Sequence, residues 1–121
     1  MASPLEFFPT PTDNPFVIEH IADEFTSLCP KTGHPDFGVV TLRYEPRPAK
    51  QGGVCVELKS LKLYYQSFRT KGIFYEAVTN EIRDELAAVM KPVWLEVKTE
   101  WKGRGGIRSV IRAGYGEVPR A

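Results

Sequence analysis

The sequence predicts an α+β fold, in which an antiparallel sheet carries two helices on one of its faces. The main observation is the order of the hydrophobic periods along the chain. Segments that alternate apolar and polar residues lie before Pro46 and after Pro92, and segments with a helical period lie between them. A length of 121 residues and a hydrophobic content of 42% suit one domain with one core. The predicted order is strand, strand, helix, helix, strand, strand.

The first half of the chain predicts an arm followed by strands. Residues 1–15 are rich in proline and have little periodicity, so we interpret them as an extended N-terminal arm that packs on a neighbour or frays. The single domain then spans residues 16–121. Alternation of apolar and polar side chains predicts strands at residues 16–28 and 38–45, and a third, short strand begins at residues 54–56.

Two helices are predicted in the middle of the chain. Residues 57–65 change to a helical period, with an apolar face that continues to Phe68. A second face of this helix is cationic and consists of Lys59, Lys62 and Arg69. Such a stripe is usually only solvated, and the alternative is a phosphate-binding surface. Residues 73–90 predict the second helix, whose apolar stripe is formed by Val78, Ile82, Leu86 and Val89.

The chain ends in a predicted hairpin. Residues 93–102 and 107–113 alternate apolar and polar side chains, and the sequence GRGG at residues 103–106 joins them as a turn. A four-stranded sheet has two open edges, which natural proteins pair or protect. We therefore expect a homo-oligomer in which sheets join edge to edge into a closed barrel.

Charge and composition exclude several classes of function. The 16 basic and 15 acidic residues give a formal net charge of +1, so no global field draws the protein to nucleic acid or to a membrane. We expect a small-molecule ligand and no direct nucleic-acid partner. Two cysteines, no signal peptide and no long apolar segment predict a soluble, cytoplasmic protein. The spacing of a zinc site is absent, so no metal is expected.

The strongest candidate for chemistry is residues 25–38, FTSLCPKTGHPDFG, which the prolines and glycines predict to be a rigid turn. The turn carries Cys29, whose thiolate a nearby cation such as Lys31 would favour. Asp36 is spaced to return across the turn as a proton donor or acceptor, which makes Cys29 a candidate nucleophile. For this stretch alone, an inert cysteine in an ordinary loop is the more common situation. The sequence also leaves open whether Cys29 forms a disulfide with Cys55.

Four separated motifs resemble the short, single-domain form of the NADPH-dependent 7-cyano-7-deazaguanine reductases (QueF), which share the tunnelling fold with GTP cyclohydrolase I. The motifs are SLCPKTGHPDF at residues 27–37, ELKSLKLYY at 57–65, FYE at 74–76 and GRGGI at 103–107. The resemblance runs from about Phe16 to the end of the chain. It implies a tunnelling fold that assembles into a barrel of several subunits, with two stacked pentamers as the expected decamer.

The resemblance also implies roles for individual residues. Cys29 matches the nucleophile that adds to the substrate nitrile as a covalent thioimide, and Asp36 matches the proton donor. The positions that match the substrate site are Val56, Glu57, Leu58, Phe74, Tyr75 and Glu76. The positions that match the NADPH site are Lys59, Lys62, Arg104, Gly105 and Gly106. The implied reaction is reduction of 7-cyano-7-deazaguanine to 7-aminomethyl-7-deazaguanine in queuosine biosynthesis.

Tyr75 departs from the family pattern, because much of the family has histidine between the phenylalanine and the glutamate of this motif. A phenol with an ordinary pKa of about 10 would relay protons more weakly at neutral pH than an imidazole would. Glu76 keeps the family residue, and its carboxylate suits the adjacent amino and imino donors of a guanine-like edge. The departure therefore concerns the second proton route and not the covalent step.

Three other interpretations compete with the reductase. The archaeal amidinotransferase relative keeps the cysteine and aspartate, but it lacks the NADPH motif that ELKSLKLYY resembles. A non-catalytic purine- or pterin-binding protein of the tunnelling fold would contain an inert Cys29. GTP cyclohydrolase chemistry would need a zinc site that the sequence does not predict.

Overall fold

The computed structural model of the protein describes residues 3–120. Its elements are β1 (Phe7–Pro9), β2 (Ile18–Leu28), β3 (Pro35–Glu45), β4 (Val54–Val56), α1 (Leu58–Gln66), α2 (Tyr75–Met90), β5 (Trp94–Arg104) and β6 (Ile107–Gly116). A short 3-10 helix at Ala49–Gln51 precedes β4. No helix within residues 3–120 is both long enough and apolar enough to cross a membrane. The predicted order of two strands, two helices and two strands is confirmed.

The four long strands form one antiparallel sheet in the order β2-β3-β5-β6. Even-numbered residues of β3 from Val40 to Tyr44 are fully buried, and they pair with the odd-numbered residues of β5 from Leu95 to Thr99. Side chains of both helices pack against this face. The core therefore lies between the sheet and the helices, and β2 and β6 are the two edge strands of this sheet.

A β-bulge changes which residues of β2 face the core. Ala22 pairs with Val40, whereas Phe25 pairs with Gly38, so β2 holds one extra residue over this interval. Even-numbered residues of β2 are the more buried ones before the bulge, and odd-numbered residues are the more buried ones after it. The bulge therefore turns Cys29, at the end of this odd-numbered set, toward the core face of the sheet.

The N-terminal arm contains a strand that the sequence analysis does not predict. Phe7–Pro9 forms β1 and pairs antiparallel with β4 of the same chain. The carbonyl of Glu6 accepts from Glu57 N at 2.8 Å, and Glu6 N donates to Ser60 Oγ at 2.9 Å. This part of the arm therefore does not fray, and the elements on which it packs are β4 and α1 of the same chain. Residues 1–2 of the arm lie outside the described residues.

Two details of the later elements differ from the prediction. Val89 is 56% exposed, and Met90 takes the core position at the end of α2. The turn of the terminal hairpin is the pair Gly105-Gly106, and both residues have positive φ angles. This conformation matches the two-residue turns that fit the twist of antiparallel strands. β5 therefore continues to Arg104, further than predicted.

Candidate active site

Cys29 lies directly after β2, in the loop of residues 29–34 that leads to β3. Two backbone hydrogen bonds close the loop, from Cys29 N to His34 O and from Gly33 N to Cys29 O, both at 2.8 Å. Gly33 has a φ angle of 75°, which glycine adopts without strain. The turn is shorter than the predicted residues 25–38, because both ends of that stretch pair as strands.

The end of β2 is also bonded to the segment that leads into α2. Leu28 N donates to Lys71 O at 3.0 Å, and Leu28 O accepts from Ile73 N at 3.0 Å. α2 begins two residues later, at Tyr75. These bonds bring the loop of Cys29 and the first turn of α2 side by side.

The surroundings of Cys29 favour its thiolate. The Thr32 hydroxyl and the backbone N–H groups of Thr32 and Lys31 donate to the sulfur, and Arg104 Nη1 lies 3.5 Å from it. Together these contacts lower the pKa of Cys29 to about 7. The predicted contribution of Lys31 comes from its backbone amide, and the cation next to the sulfur is Arg104. Cys29 and Cys55 are both free thiols.

Asp36 continues the core-facing period of β3 and is only 5% exposed. Its Oδ1 accepts a hydrogen bond from Arg104 Nη2 in an ion pair and another from the Tyr75 hydroxyl at 3.3 Å. Cys29, Asp36, Tyr75 and Arg104, named here the cysteine cluster, combine a nucleophile, a carboxyl group, a phenol and a fixed cation. Such a combination can support nucleophilic addition coupled to proton transfer.

Tyr75 is held against the indole of Trp101. The two rings stack with centroids 4.1 Å apart and planes 7° from parallel. Burial, and then the negative charge of Asp36, raise the pKa of the Tyr75 phenol above its ordinary value. Because that value is already near 10, the phenol stays protonated at neutral pH and acts as a hydrogen-bond donor.

Glu57, predicted to contact substrate, is the N-terminal cap of α1. Its Oε2 and Oε1 accept from Lys59 N and Ser60 N, each at 2.8 Å, and these bonds lower the pKa of Glu57. Its predicted partner Val56 is buried in the core, whereas Leu58 is 61% exposed. The carboxylate of Glu57 is thus already engaged by the helix, and Leu58 is the most accessible residue of this group.

The other predicted substrate contacts flank Tyr75 at the start of α2. Phe74 precedes the helix and is 53% exposed. Glu76 lies in the first turn, where its side chain is exposed and its backbone carbonyl accepts from Asn80 Nδ2 at 2.8 Å. An apolar ring and an accessible carboxylate therefore adjoin the cysteine cluster.

A cavity of about 840 Å³ lies between β2 and α1. The predicted site residues that line it are Glu57, Leu58, Lys59 and Lys62. Arg69 adds a third cation, and the cavity is also lined by Tyr65, whose buried hydroxyl has no partner within residues 3–120. This α1 cavity has a volume within the range of small-molecule sites.

The cysteine cluster and the α1 cavity are separate within one chain, because no member of the cluster lines the cavity. Arg104, predicted to help at cofactor phosphates, contacts Cys29 and Asp36. Gly105 and Gly106 form the exposed turn that follows it. The structure thus brings Arg104 to Cys29 and Asp36, and the cofactor role of this motif stays a prediction.

The family model of QueF-like proteins matches residues 35–120, which is more than half of the chain. The chain belongs to the QueF-like family. Two relatives are named NADPH-dependent 7-cyano-7-deazaguanine reductase. The protein of Prosthecochloris aestuarii is 51% identical over 109 residues, which cover 90% of this chain and 88% of the relative. The protein of Chloroherpeton thalassium is 53% identical over 100 residues, which cover 83% of this chain and 82% of the relative.

A solved structure of the QueF-like family supports the fold. The apo crystal structure of the archaeosine synthase QueF-Like superposes with a TM-score of 0.72 and covers 91% of this chain and 99% of its own. Its sequence is 21% identical, so the likeness concerns the fold alone. The predicted α+β tunnelling fold is confirmed by this comparison.

Two contributors to the site of this QueF-like protein were missed by the sequence analysis. Thr32 lies within the Cys29 loop, but a hydroxyl directed at the sulfur depends on the loop closure and is not visible in the motif. The alternation along β5 does indicate that Trp101 faces the core, because it shares the core-facing set of Leu95 and Val97. Its contact with Tyr75 depends on how α2 crosses the sheet.

Replacing Thr32 by valine is expected to raise the pKa of Cys29, because the hydroxyl is the largest contributor to its lowered value. The thiolate is the reactive form, so the rate at which iodoacetamide alkylates Cys29 should reach half of its maximum at about pH 7 in the wild-type protein. In Thr32→Val the midpoint should move to higher pH, and the rate at about pH 6 should fall by about 3- to 10-fold. Peptide mass spectrometry separates Cys29 from the buried Cys55.

Thr32→Ser is the matched control, since it keeps the hydroxyl and should keep a midpoint near that of the wild type. An unchanged midpoint in Thr32→Val would show that the loop amides and Arg104 suffice to stabilise the thiolate.

Proposed function

We propose that the protein catalyses the NADPH-dependent reduction of 7-cyano-7-deazaguanine to 7-aminomethyl-7-deazaguanine in the cytoplasm, as a step toward queuosine in tRNA. The observation that carries this proposal is the pairing of a Cys29 that favours its thiolate with the buried carboxyl group of Asp36. Further support comes from two relatives, 51% and 53% identical in sequence, that are named NADPH-dependent 7-cyano-7-deazaguanine reductase. A soft thiolate and an adjacent acid suit addition to a nitrile.

The cysteine cluster accounts for the covalent step. The Asp36 carboxylate takes the proton of the Cys29 thiol, and the resulting thiolate attacks the nitrile carbon to form a C–S bond. The nitrile nitrogen then takes that proton from Asp36, which gives a thioimide. NADPH, when bound, supplies the hydrides for the four-electron reduction, one hydride from each of two molecules. Rupture of the C–S bond restores the thiolate, which Arg104 stabilises from 3.5 Å. Tyr75 holds Asp36 by donating to Oδ1.

The start of α2 supplies contacts for the deazaguanine ring. The exposed carboxylate of Glu76 can accept from the adjacent amino and imino groups of a guanine-like edge. Phe74 offers an apolar surface beside it. Leu58, with the backbone of Val56 and Glu57, is proposed to complete the substrate site from another subunit, because the start of α1 borders the α1 cavity and not the cysteine cluster of its own chain.

The α1 cavity fits the chemistry of NADPH. Lys59, Lys62 and Arg69 present three cations that can contact phosphate groups. The chain contains no glycine-rich nucleotide fingerprint, so side chains would carry the binding. We assign the phosphates of NADPH to Lys59 and Lys62. We assign Arg104 and the turn that follows it to the end of NADPH that lies nearer Cys29.

We also propose that the protein works as a homo-oligomer. β2 and β6 are edges of the four-stranded sheet, and the exposed apolar residues Ile21, Ile107 and Val110 lie on these strands. Edge-to-edge pairing would remove both open edges. It would also let the cysteine cluster of one subunit meet the α1 cavity of another, which a single chain keeps apart. A decamer of two stacked pentamers is the assembly that the family resemblance implies.

The function is tested directly by following NADPH absorbance with and without the nitrile. The reductase oxidises NADPH only when the nitrile is present. A non-catalytic purine- or pterin-binding protein would bind the nitrile without oxidation. An amidinotransferase would convert the nitrile in tRNA with a nitrogen donor and would oxidise no NADPH.

Replacing both Lys59 and Lys62 by glutamine is expected to raise the KM for NADPH by about 10- to 100-fold, because lysine–phosphate attraction is lost. Added salt should raise the wild-type KM in the same direction and have less effect on the variant. Formation of the Cys29 adduct with the nitrile should continue, because the cysteine cluster is untouched. Steady-state kinetics and intact mass separate the two half-reactions within one protein.

The matched control is Lys50→Gln with Lys91→Gln, which removes two exposed cations that do not line the α1 cavity. If the two double variants have the same KM for NADPH, the cationic face of α1 is only solvated, and NADPH binds elsewhere.

A further inference from the structure

A chain of buried hydrogen bonds links β5 to the start of α2. Trp101 Nε1 donates to Thr99 Oγ1 at 2.8 Å, Thr99 and Thr79 share a hydrogen bond of 2.7 Å between their hydroxyls, and Thr79 Oγ1 donates to Tyr75 O at 2.7 Å. Both threonines are fully buried, and Trp101 is 2% exposed. Because the Trp101 indole can only donate and a carbonyl can only accept, the direction of donation in all three hydrogen bonds is determined.

This series of hydrogen bonds reaches Tyr75 at two places. Its first member, Trp101, stacks on the Tyr75 ring, and its last bond ends on the Tyr75 backbone carbonyl. The bond from Thr79 to Tyr75 O alone is an ordinary contact between residues four apart in a helix. The bond between Thr79 and Thr99 is different, because it joins α2 to β5 and so couples the helix start to the indole.

Trp101 is itself held on its remaining sides. Phe25 contacts it edge to face, with ring centroids 5.9 Å apart. A Cβ atom on Gly38, which pairs with Trp101 across β3 and β5, would lie 2.8 Å from Trp101 Cε3, so the absence of a side chain there lets the indole lie against β3. The indole therefore gives Tyr75 a fixed surface to stack on.

We propose that Thr99 and Trp101 are positioning residues that hold the Tyr75 hydroxyl on Asp36, so that the phenol orients the carboxyl group for proton delivery. This role rests on the proposed nitrile reduction. It explains how the site works with tyrosine where much of the family is expected to have histidine. Tyr75 orients the proton donor by hydrogen bonding and does not itself carry the proton.

The test compares Thr99→Val, which keeps the shape and removes the hydroxyl, with Thr99→Ser, which keeps the hydroxyl. Thr99→Val should lower kcat by about tenfold and change the KM for the nitrile by less than about twofold, because the network acts on proton transfer and not on binding. Thr99→Ser should recover most of the loss. Thr41→Val, at a partly buried position of the opposite sheet face, is the matched control and should leave kcat unchanged.

A double variant that combines Thr99→Val with Tyr75→Phe tests whether Thr99 acts through the Tyr75 hydroxyl. If it does, Thr99→Val should cause little further loss of kcat in the Tyr75→Phe background, because the hydroxyl that it positions is already gone. Losses that multiply fully in the double variant would overturn the proposal. So would a Thr99→Val protein with wild-type kcat, or one whose only defect is a lower Tm.

A second readout needs no activity. The indole N–H resonance of Trp101, assigned with Trp94→Phe, should exchange slowly with water in the wild type and should shift and exchange faster in Thr99→Val. If the wild-type protein fails to oxidise NADPH with the nitrile, the proposed function fails on its own. The Trp101 indole N–H resonance then tests the hydrogen-bond network separately. An unchanged resonance in Thr99→Val would overturn the network, and a shifted, faster-exchanging resonance would support it.

Discussion

Replacing Cys29 by alanine is expected to lower nitrile-dependent NADPH oxidation by on the order of 10⁴-fold or more, because the proposed mechanism forms its covalent bond to the nitrile carbon through the Cys29 sulfur. Mixing the wild-type protein with the nitrile in the absence of NADPH should give a substrate-sized mass adduct, since addition precedes hydride transfer. The adduct should be missing in Cys29→Ala. Intact-mass measurement and the absorbance assay check the two expectations.

Cys55→Ala is the matched control for this experiment. Cys55 is 2% exposed and lies in β4, outside the cysteine cluster, so the variant should keep both adduct and turnover. An adduct that persists in Cys29→Ala, or that maps to Cys55, would contradict the assignment of the nucleophile.

Replacing Asp36 by asparagine should lower kcat by about 10²- to 10⁴-fold, because the amide keeps the shape of the side chain but cannot donate the proton. Binding of the nitrile should change much less, since Glu76 and Phe74 are untouched. Single-turnover kinetics measures the chemical step, and equilibrium titration measures binding. Loss of binding with an unchanged single-turnover rate would make Asp36 a ligand-holding or folding residue.

Asp36→Asn also removes the ion pair with Arg104, so a second variant separates the two effects. Arg104→Gln removes the same ion pair and leaves the carboxyl group in place. If proton delivery is the main role of Asp36, Arg104→Gln should retain considerably more single-turnover activity than Asp36→Asn. Equal losses would assign the effect to the ion pair itself.

The fold was largely predictable because it follows from hydrophobic periods. The core-facing residues of β3 and β5 alternate without interruption, and α1 and α2 keep a helical period, so their types follow from pattern alone. β2 was harder, because its bulge after Ala22 moves the core-facing set from even to odd positions. That shift blurs the alternation in the sequence, and it is also what turns Cys29 toward the core face.

The candidate site was predictable where one segment supplies the chemistry and unpredictable where distant segments meet. Cys29 and Asp36 stand close together in one stretch, so the sequence could predict that they share a site, and the structure places both beside Arg104. Arg104 reaches both of them from the far end of β5, and Trp101 reaches Tyr75 across two elements. These contacts depend on the pairing of β3 with β5 and on the position of α2, which periodicity does not specify.

Reduction of a nitrile to an amine through Cys29 is tested most directly by the ratio of NADPH consumed to amine formed. Reduction of a nitrile to a primary amine needs four electrons, and each NADPH provides two. Absorbance of NADPH and mass spectrometry of the product, followed in the same reaction, should give two NADPH oxidised per 7-aminomethyl-7-deazaguanine, with none oxidised in Cys29→Ala. Catalytic consumption of the nitrile without NADPH oxidation, or full turnover in Cys29→Ala, would contradict nitrile reduction through Cys29.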